Sequence, residues 1–443
     1  MLPEPSLTFT LPSLHDGLAL DCRVYHPQSL TASPQAPPWQ KHAAIVAHPY
    51  APLGGCYDDP VVEIVAGTLL RLGFLVATFN FRGAHGSAGR TSWTAKAETA
   101  DYISVAGFVS HYVHFLDPFH PRHLREPISP RVESLTETTV PTPNSPILLL
   151  AGYSYGAMVT TKLPPLETVL APFDTPACGS PAAEIRLRAQ HLAEAQNAVL
   201  ASARAAAVDR QKGRSVRKSL GLRIGGDEEN RKSHDSRRSI SSDIEDRLHK
   251  GVAELMTKAR KGHRKRPISE ESVEDQPEAG DARQPSPPPE HLLPVPNRTS
   301  HRPAYLLVSP LQGVVTNLAT MSFPSPIASL SRRLPTRSFS WSGRAGSEPA
   351  GKDSDSHKEL PTSDAERKLT SNPTLAIYGD NDSFVAARKL REWASRLERV
   401  PDSKFRAHEV SSAGHFWAQG NAAVTMKDAV KVFAESVLRD YQI

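Results

Sequence analysis

Three cysteines in 443 residues, Cys22, Cys56 and Cys178, are odd in number and far apart. They argue against a disulfide framework or a cysteine-built zinc site and point to a reducing compartment. No apolar run approaches the roughly 18 residues that a membrane-spanning helix needs. The opening stretch, MLPEPSLTFTLPSLHDG, has neither the basic n-region nor the long apolar core of a secretory signal. The expectation is a cytoplasmic protein without a membrane span. Aromatic residues make up only 7% of the chain, while Pro alone numbers 39. Part of the chain therefore cannot contribute to a packed core.

A global excess of one charge sign is also nearly missing: 52 basic residues face 47 acidic ones, for a net +5. Residues 182–300 alone hold 23 basic and 18 acidic residues, so the excess lies there and the remainder is close to neutral. Nucleic acid is accordingly not expected as a partner of the chain as a whole.

What is present is an alternation of apolar strands with amphipathic helices. Residues 7–11 and 18–25 read as strands around the turn His15-Asp16-Gly17, and residues 28–40 as a Pro-rich linker. Residues 43–47 form a short buried strand leading into His48-Pro49-Tyr50-Ala51-Pro52-Leu53-Gly54-Gly55. Asp58 or Asp59 can then cap a helix with Pro60 in its first turn and Val62, Val65, Ala66, Leu69 and Leu70 as its buried stripe. A strand over 74–79 runs into Asn80-Phe81-Arg82-Gly83-Ala84-His85-Gly86-Ser87, and a helix is expected over 95–116. Strands alternating with helices predict a mostly parallel sheet covered on both faces.

The chemistry is concentrated at 147–158. The run Ile147-Leu148-Leu149-Leu150-Ala151 suits a strand buried on both faces, and Gly152-Tyr153-Ser154-Tyr155-Gly156 matches G-x-S-x-G. A sharp strand-to-helix turn would lift the Ser154 hydroxyl out of the sheet. Glycines on either side let neighbouring backbones pass close, and the helix start supplies N–H donors for a developing negative charge. Five matching residues alone occur often in ordinary turns, so the pattern needs an acid and a histidine downstream.

With these residues in place the chain resembles an α/β-hydrolase, near the small-esterase, dienelactone-hydrolase-like branch with a His-Pro…Gly-Gly loop and an Asn-Phe-Arg-Gly-x-x-Gly-Ser loop. The resemblance covers about residues 43–173, 302–323 and 373–443. It implies a mostly parallel, doubly wound sheet and a Ser-Asp-His triad. The strand at 374–378 ends in Gly379-Asp380-Asn381-Asp382, and the fourth position of that G-x-x-D pattern, Asp382, takes the acid's place. Asp380 is the neighbouring turn or cap carboxylate. After a final strand over 404–410, Ala413-Gly414-His415-Phe416 places His415 where the family carries its general base. The order Ser, Asp, His, each at a strand end, is that of the fold. His48 and His85 are rivals on loops where the family uses backbone chemistry, and Arg82 is read as a loop tie. The oxyanion donors would be the N–H groups of Tyr155 and, because Pro49 has none, of Tyr50, with Ala51 second. No metal or organic cofactor is implied.

The resemblance breaks twice, which divides the chain into hydrolase segments 1–175, 302–328 and 372–443, a charged helical and low-complexity insertion at 176–301, and a Ser/Arg/Pro-rich insertion at 329–371. Both insertions are expected at the carboxyl edge or rim of the sheet. Ile185, Ala189, Leu192, Val199, Leu200 and Ala203 would form one amphipathic helix, weighed as a lid over Ser154. Ile244, Leu248, Val252, Leu255, Met256 and Ala259 would form a second. The basic cluster at 258–266 could direct nuclear entry, although a solvated tract is the simpler reading. Ser269, Ser338 and Ser340 fit a basic-directed kinase pattern, so kinases or other protein partners would act at the insertions. Two function classes follow: a serine hydrolase acting on a small-molecule carboxylic ester or thioester, or an interaction protein that uses the hydrolase fold as a platform.

Overall fold

The computed structural model describes residues 2–92, 94–119, 145–219, 290–311 and 364–440. The second amphipathic stretch, the 258–266 cluster and Ser269, Ser338 and Ser340 lie outside them. Among the described residues, eight strands form one sheet: β1 (Leu7–Pro12), β2 (Ala19–Tyr25), β3 (Ala43–Ala47), β4 (Leu75–Phe79), β5 (Ile147–Tyr153), β6 (Arg302–Val308), β7 (Thr374–Gly379) and β8 (Phe405–Val410). Their spatial order is β1-β2-β4-β3-β5-β6-β7-β8. β1 and β2 form an antiparallel hairpin edge joined antiparallel to β4, and all later pairings are parallel.

Period-two alternation explains why the central strands are apolar throughout. Leu148 and Leu150 of β5 join Ile45 of β3 in one core, while Leu149 and Ala151 join Val46 in the core on the opposite face. Helices α1 (Pro60–Arg71) and α8 (Ala422–Arg439) cover the second face. The first is covered by α2 (Lys96–Phe115), α3 (Tyr155–Lys162), α4 (Leu166–Leu170), α5 (Pro181–Ser219), α6 (Asp364–Ser371) and α7 (Ala387–Glu398). This is the doubly wound α/β-hydrolase architecture. Asp59 is the residue that caps α1, accepting from the Val61 N–H at 2.8 Å, while Asp58 pairs with Arg23. No helix of the described residues is long and apolar enough to cross a membrane.

The first helix of the 176–301 segment departs from expectation. Over its first turns α5 lies in the helical layer against α2 and β1, not at the carboxyl rim. Ile185, Ala189 and Leu192 enter the same core as Phe9, Phe108 and Val109. The Asn197 amide donates to the Phe115 carbonyl at 2.8 Å and accepts from the Asp117 N–H at 2.8 Å, capping the end of α2. Burying three apolar side chains there contributes several kcal/mol, at about 1.5–3 for a fully buried aliphatic residue. A rim position would leave that face wet. A second departure is α6, which lies within the segment expected to be a Ser/Arg/Pro-rich insertion. Its eight residues are too few for a period to stand out, but Lys368 and Leu369 are buried, and the Lys368 ammonium donates to the carbonyls of Thr160 and Thr161 at the end of α3 (2.9 and 3.0 Å).

Candidate active site

The site forms at the carboxyl ends of β3, β5, β7 and β8, where the parallel strands deliver their loops to one edge. At the end of β5 the backbone turns so sharply into α3 that Ser154 takes φ 56°, ψ −112°. A non-glycine residue there stores strain of order 1–3 kcal/mol. The flanking glycines are required by contact: a Cβ on Gly152 would stand 2.3 Å from the Gly156 carbonyl carbon, and one on Gly156 would stand 2.5 Å from the Ala47 oxygen. The Ser154 N–H is held by the Val308 carbonyl at 2.8 Å, tying the turn to β6.

The three residues singled out from the sequence meet here. His415 Nε2 lies 2.8 Å from the Ser154 hydroxyl and His415 Nδ1 lies 2.7 Å from Asp382 Oδ2. A carboxylate can only accept, so Nδ1 carries the proton and Nε2 is left to accept from Ser154. The other carboxylate oxygen of Asp382 accepts from the N–H groups of Phe384 and Val385 at 2.8 and 3.0 Å, which fixes its plane. Asp380 points elsewhere and accepts from the Ser412 N–H at 2.7 Å. All three groups are sheltered, with Ser154 5% and His415 3% exposed.

Residues not singled out as site members complete the frame. The Tyr153 hydroxyl donates to the His415 carbonyl at 2.9 Å, and the Phe384 ring lies 4.5 Å from the imidazole, centroid to centroid. Tyr153 occupies a variable position of G-x-S-x-G, so the motif gave no hint of its use. Phe384 lies two residues beyond Asp382, outside the G-x-x-D pattern, so that pattern carries no signal of its contact with the base.

The expected oxyanion donors lie on adjoining elements. Tyr155 opens α3, whose N-terminus has no side-chain cap, leaving its first N–H groups available for a negative charge. Tyr50 follows β3, and its ring packs 5.1 Å from that of Tyr155. Ala51 begins the short 3₁₀ turn Ala51–Leu53 beyond it. His48 is wholly buried and His85 is exposed, and neither approaches Ser154 as a hydrogen-bond partner. Arg82 ties loops together, donating to Asp101 at 2.7 Å, Asp16 at 2.8 Å and the Ser13 hydroxyl at 2.9 Å.

Ser154 and His415 border a cavity of about 320 Å³ walled by Tyr50, Leu53, Tyr153, Leu311, Phe384 and Phe416. Leu53 and Phe416 are exposed at its mouth. Asp59, the α1 cap, is the one carboxylate among the lining residues, and burial raises its carboxyl above the ordinary aspartate range. Among the described side chains of α5, none lines this cavity. Among the described residues no group of three or more His, Cys, Asp or Glu side chains is placed to hold a metal ion.

No model of a known protein family matches the chain, and no curated protein matches its sequence. Among solved structures it is similar to an α/β serine hydrolase without lid from Xanthomonas campestris, at 15% identity over 98% of this chain and 96% of the other, with a TM-score of 0.40. It is likewise similar to an alpha-beta serine hydrolase homologue from Coxiella burnetii, at 11% identity over 98% and 99% of the two chains and a TM-score of 0.39. Est1E from Butyrivibrio proteoclasticus is similar at 11% identity over 98% and 100%, with a TM-score of 0.40. By its strand order and the elbow at Ser154, the chain has the fold of the α/β-hydrolase superfamily.

Proposed function

We propose that the protein is a serine hydrolase that cleaves a small carboxylic ester or thioester through an acyl-enzyme. The observation that carries this reading is the unbroken line Asp382–His415–Ser154, with gaps of 2.7 and 2.8 Å, at the base of an apolar cavity. His415 Nε2 takes the Ser154 proton as the oxygen attacks the acyl carbon. Asp382 stabilises the imidazolium through Nδ1–H, and the Tyr50 and Tyr155 amides receive the oxyanion. Collapse of the tetrahedral species passes the proton from Nε2 to the leaving alkoxide or thiolate. Water then enters, loses a proton to His415 and releases the acid as Ser154 regains its own.

The wall of Tyr, Phe and Leu side chains favours an apolar acyl or alcohol group, and the His-Pro…Gly-Gly and Asn-Phe-Arg-Gly loops favour the small-esterase, dienelactone-hydrolase-like branch. Three free cysteines suit a cytoplasmic setting. Labelling with a fluorophosphonate tests the reading: wild type should be modified, and Ser154→Ala and His415→Ala should not. A folded wild type that resists the probe would favour the alternative of an interaction platform bearing charged insertions.

A further inference from the structure

His48 is completely buried immediately after β3, and both of its ring nitrogens are engaged. The Phe81 N–H, which can only donate, points at Nε2 from 2.8 Å. Nε2 must therefore be bare, and the ring proton sits on Nδ1, which faces the Pro49 carbonyl at 2.6 Å. Burial pushes the imidazole down to about 4, so this tautomer persists through the neutral range.

The carbonyl that His48 holds belongs to the Pro49–Tyr50 peptide. That bond is trans, so the Tyr50 N–H points away from the held oxygen. The same carbonyl is fenced from another side by Gly55, where a Cβ would stand 2.5 Å from the Pro49 oxygen. The next carbonyl, that of Tyr50, is also occupied, accepting from Leu53 and Gly55 at 3.1 and 3.2 Å. Among the described residues, nothing accepts from the Tyr50 N–H between them. A peptide whose oxygen is fixed and whose N–H is left without a partner, on a loop lining the cavity beside Ser154, is organised to offer that N–H to a ligand.

We propose that His48 is a positioning residue for the oxyanion hole: its Nδ1–H, by gripping the Pro49 carbonyl, keeps the Tyr50 N–H aimed at the substrate oxygen on which charge develops. The proposal rests on the serine-hydrolase reading. His48 does not touch substrate; it acts through one peptide plane. Because its Nε2 is anchored on Phe81, the ring also ties the loop after β3 to the loop after β4.

Two isosteric variants separate the halves of this bridge. In His48→Asn the amide nitrogen stands near the place of Nδ1 and can still donate to Pro49. In His48→Gln the amide oxygen can still accept from Phe81, but the donor toward Pro49 is gone. With full-length protein and p-nitrophenyl butyrate, His48→Gln should lower kcat about 10–100-fold, less than the roughly 10²–10³-fold cost of removing an oxyanion donor outright, because the Tyr50 N–H is misaimed and not deleted. KM should stay within about threefold, and inhibition by a trifluoromethyl ketone, whose adduct carries the oxyanion, should weaken by the same factor as kcat. His48→Asn should retain kcat within about fivefold. Gly55→Ala presses on the same carbonyl from the other side and should reproduce the kcat-selective loss even where a His48 variant does not fold. The proposal is overturned if folded His48→Gln keeps wild-type kcat, or if Asn and Gln lose activity only in step with melting temperature, as a core histidine would. Should wild type show no Ser154-dependent turnover, the hydrolase reading itself fails and this proposal falls with it; wild-type turnover matched by His48→Gln removes the proposal alone.

Discussion

The Tyr153 hydroxyl donates to the main-chain carbonyl of His415 at 2.9 Å, although the two residues stand 262 positions apart in sequence. One end of this contact is the residue before the nucleophile and the other is the backbone of the base. The strand that aims Ser154 thus also fixes the loop that carries its partner.

Removing that hydroxyl should loosen the base without emptying the core. Tyr153→Phe keeps the ring packed and deletes one buried neutral hydrogen bond, a loss of about 1 kcal/mol. The expected result is a 3- to 10-fold lower kcat, in line with that ~1 kcal/mol, and a small fall in melting temperature. Unaltered kcat in steady-state ester hydrolysis would show that the His415 loop holds its place without the tether.

The two aspartates of the β7 loop should separate cleanly. Asp382→Asn removes the acceptor that fixes the imidazole tautomer, and kcat should fall about 10⁴-fold. Asp380→Asn disturbs only the turn at Ser412 and should cost less than about threefold in rate, as expected for a group outside the reacting line. Parallel kinetics on the two variants check this, and the reverse ranking would remove Asp382 from the assignment.

The packing of α5 predicts a stability effect with no matching catalytic one. Ile185 is fully buried against the α2 layer, so Ile185→Ala should cost about 2–4 kcal/mol in urea unfolding. Turnover per folded molecule should stay at the wild-type level, because no described side chain of α5 lines the cavity. A change within about 0.5 kcal/mol would mean that the helix rides on the surface.

Among the described residues, five histidines depressed by burial make stability depend on pH. Burial holds His26, His42 and His48 at about 4 and His111 and His301 at about 3. Their folded values lie below the unfolded value of about 6.5, so the unfolded chain binds more protons once the pH drops under that value. Stability is therefore full above about pH 6.5 and is lost as pH falls toward 4, by up to roughly 1.4 kcal/mol per pH unit for each ring. Urea midpoints measured from pH 7.5 to 4.5 should fall steeply below pH 6, and His301→Phe should make the fall shallower. A flat profile would contradict the neutral, buried state of these rings.

Most of the frame was legible along the chain. The strands predicted around 43–47, 74–79, 147–151, 374–378 and 404–410 each coincide with a strand of the sheet to within a few residues; for all but the last, an unbroken apolar run has few other stable fates. The elbow was legible for a similar reason: glycines two residues either side of Ser154 satisfy backbone contacts that no other residue can make. Where a segment such as α6 is only eight residues long, its local pattern is too brief to distinguish it from a loop.

Sequence by itself determined the strand and helix periods, the strained serine turn and the order Ser154, Asp382, His415, since each of these is written in neighbouring residues. Only the tertiary structure decided that Ile185 enters the core with Phe9 and Phe108 instead of the rim, that Tyr153 holds His415, and that the Phe81 N–H sets the His48 tautomer. Those outcomes join residues tens to hundreds of positions apart, and they are set by strand order and register, which no local window contains.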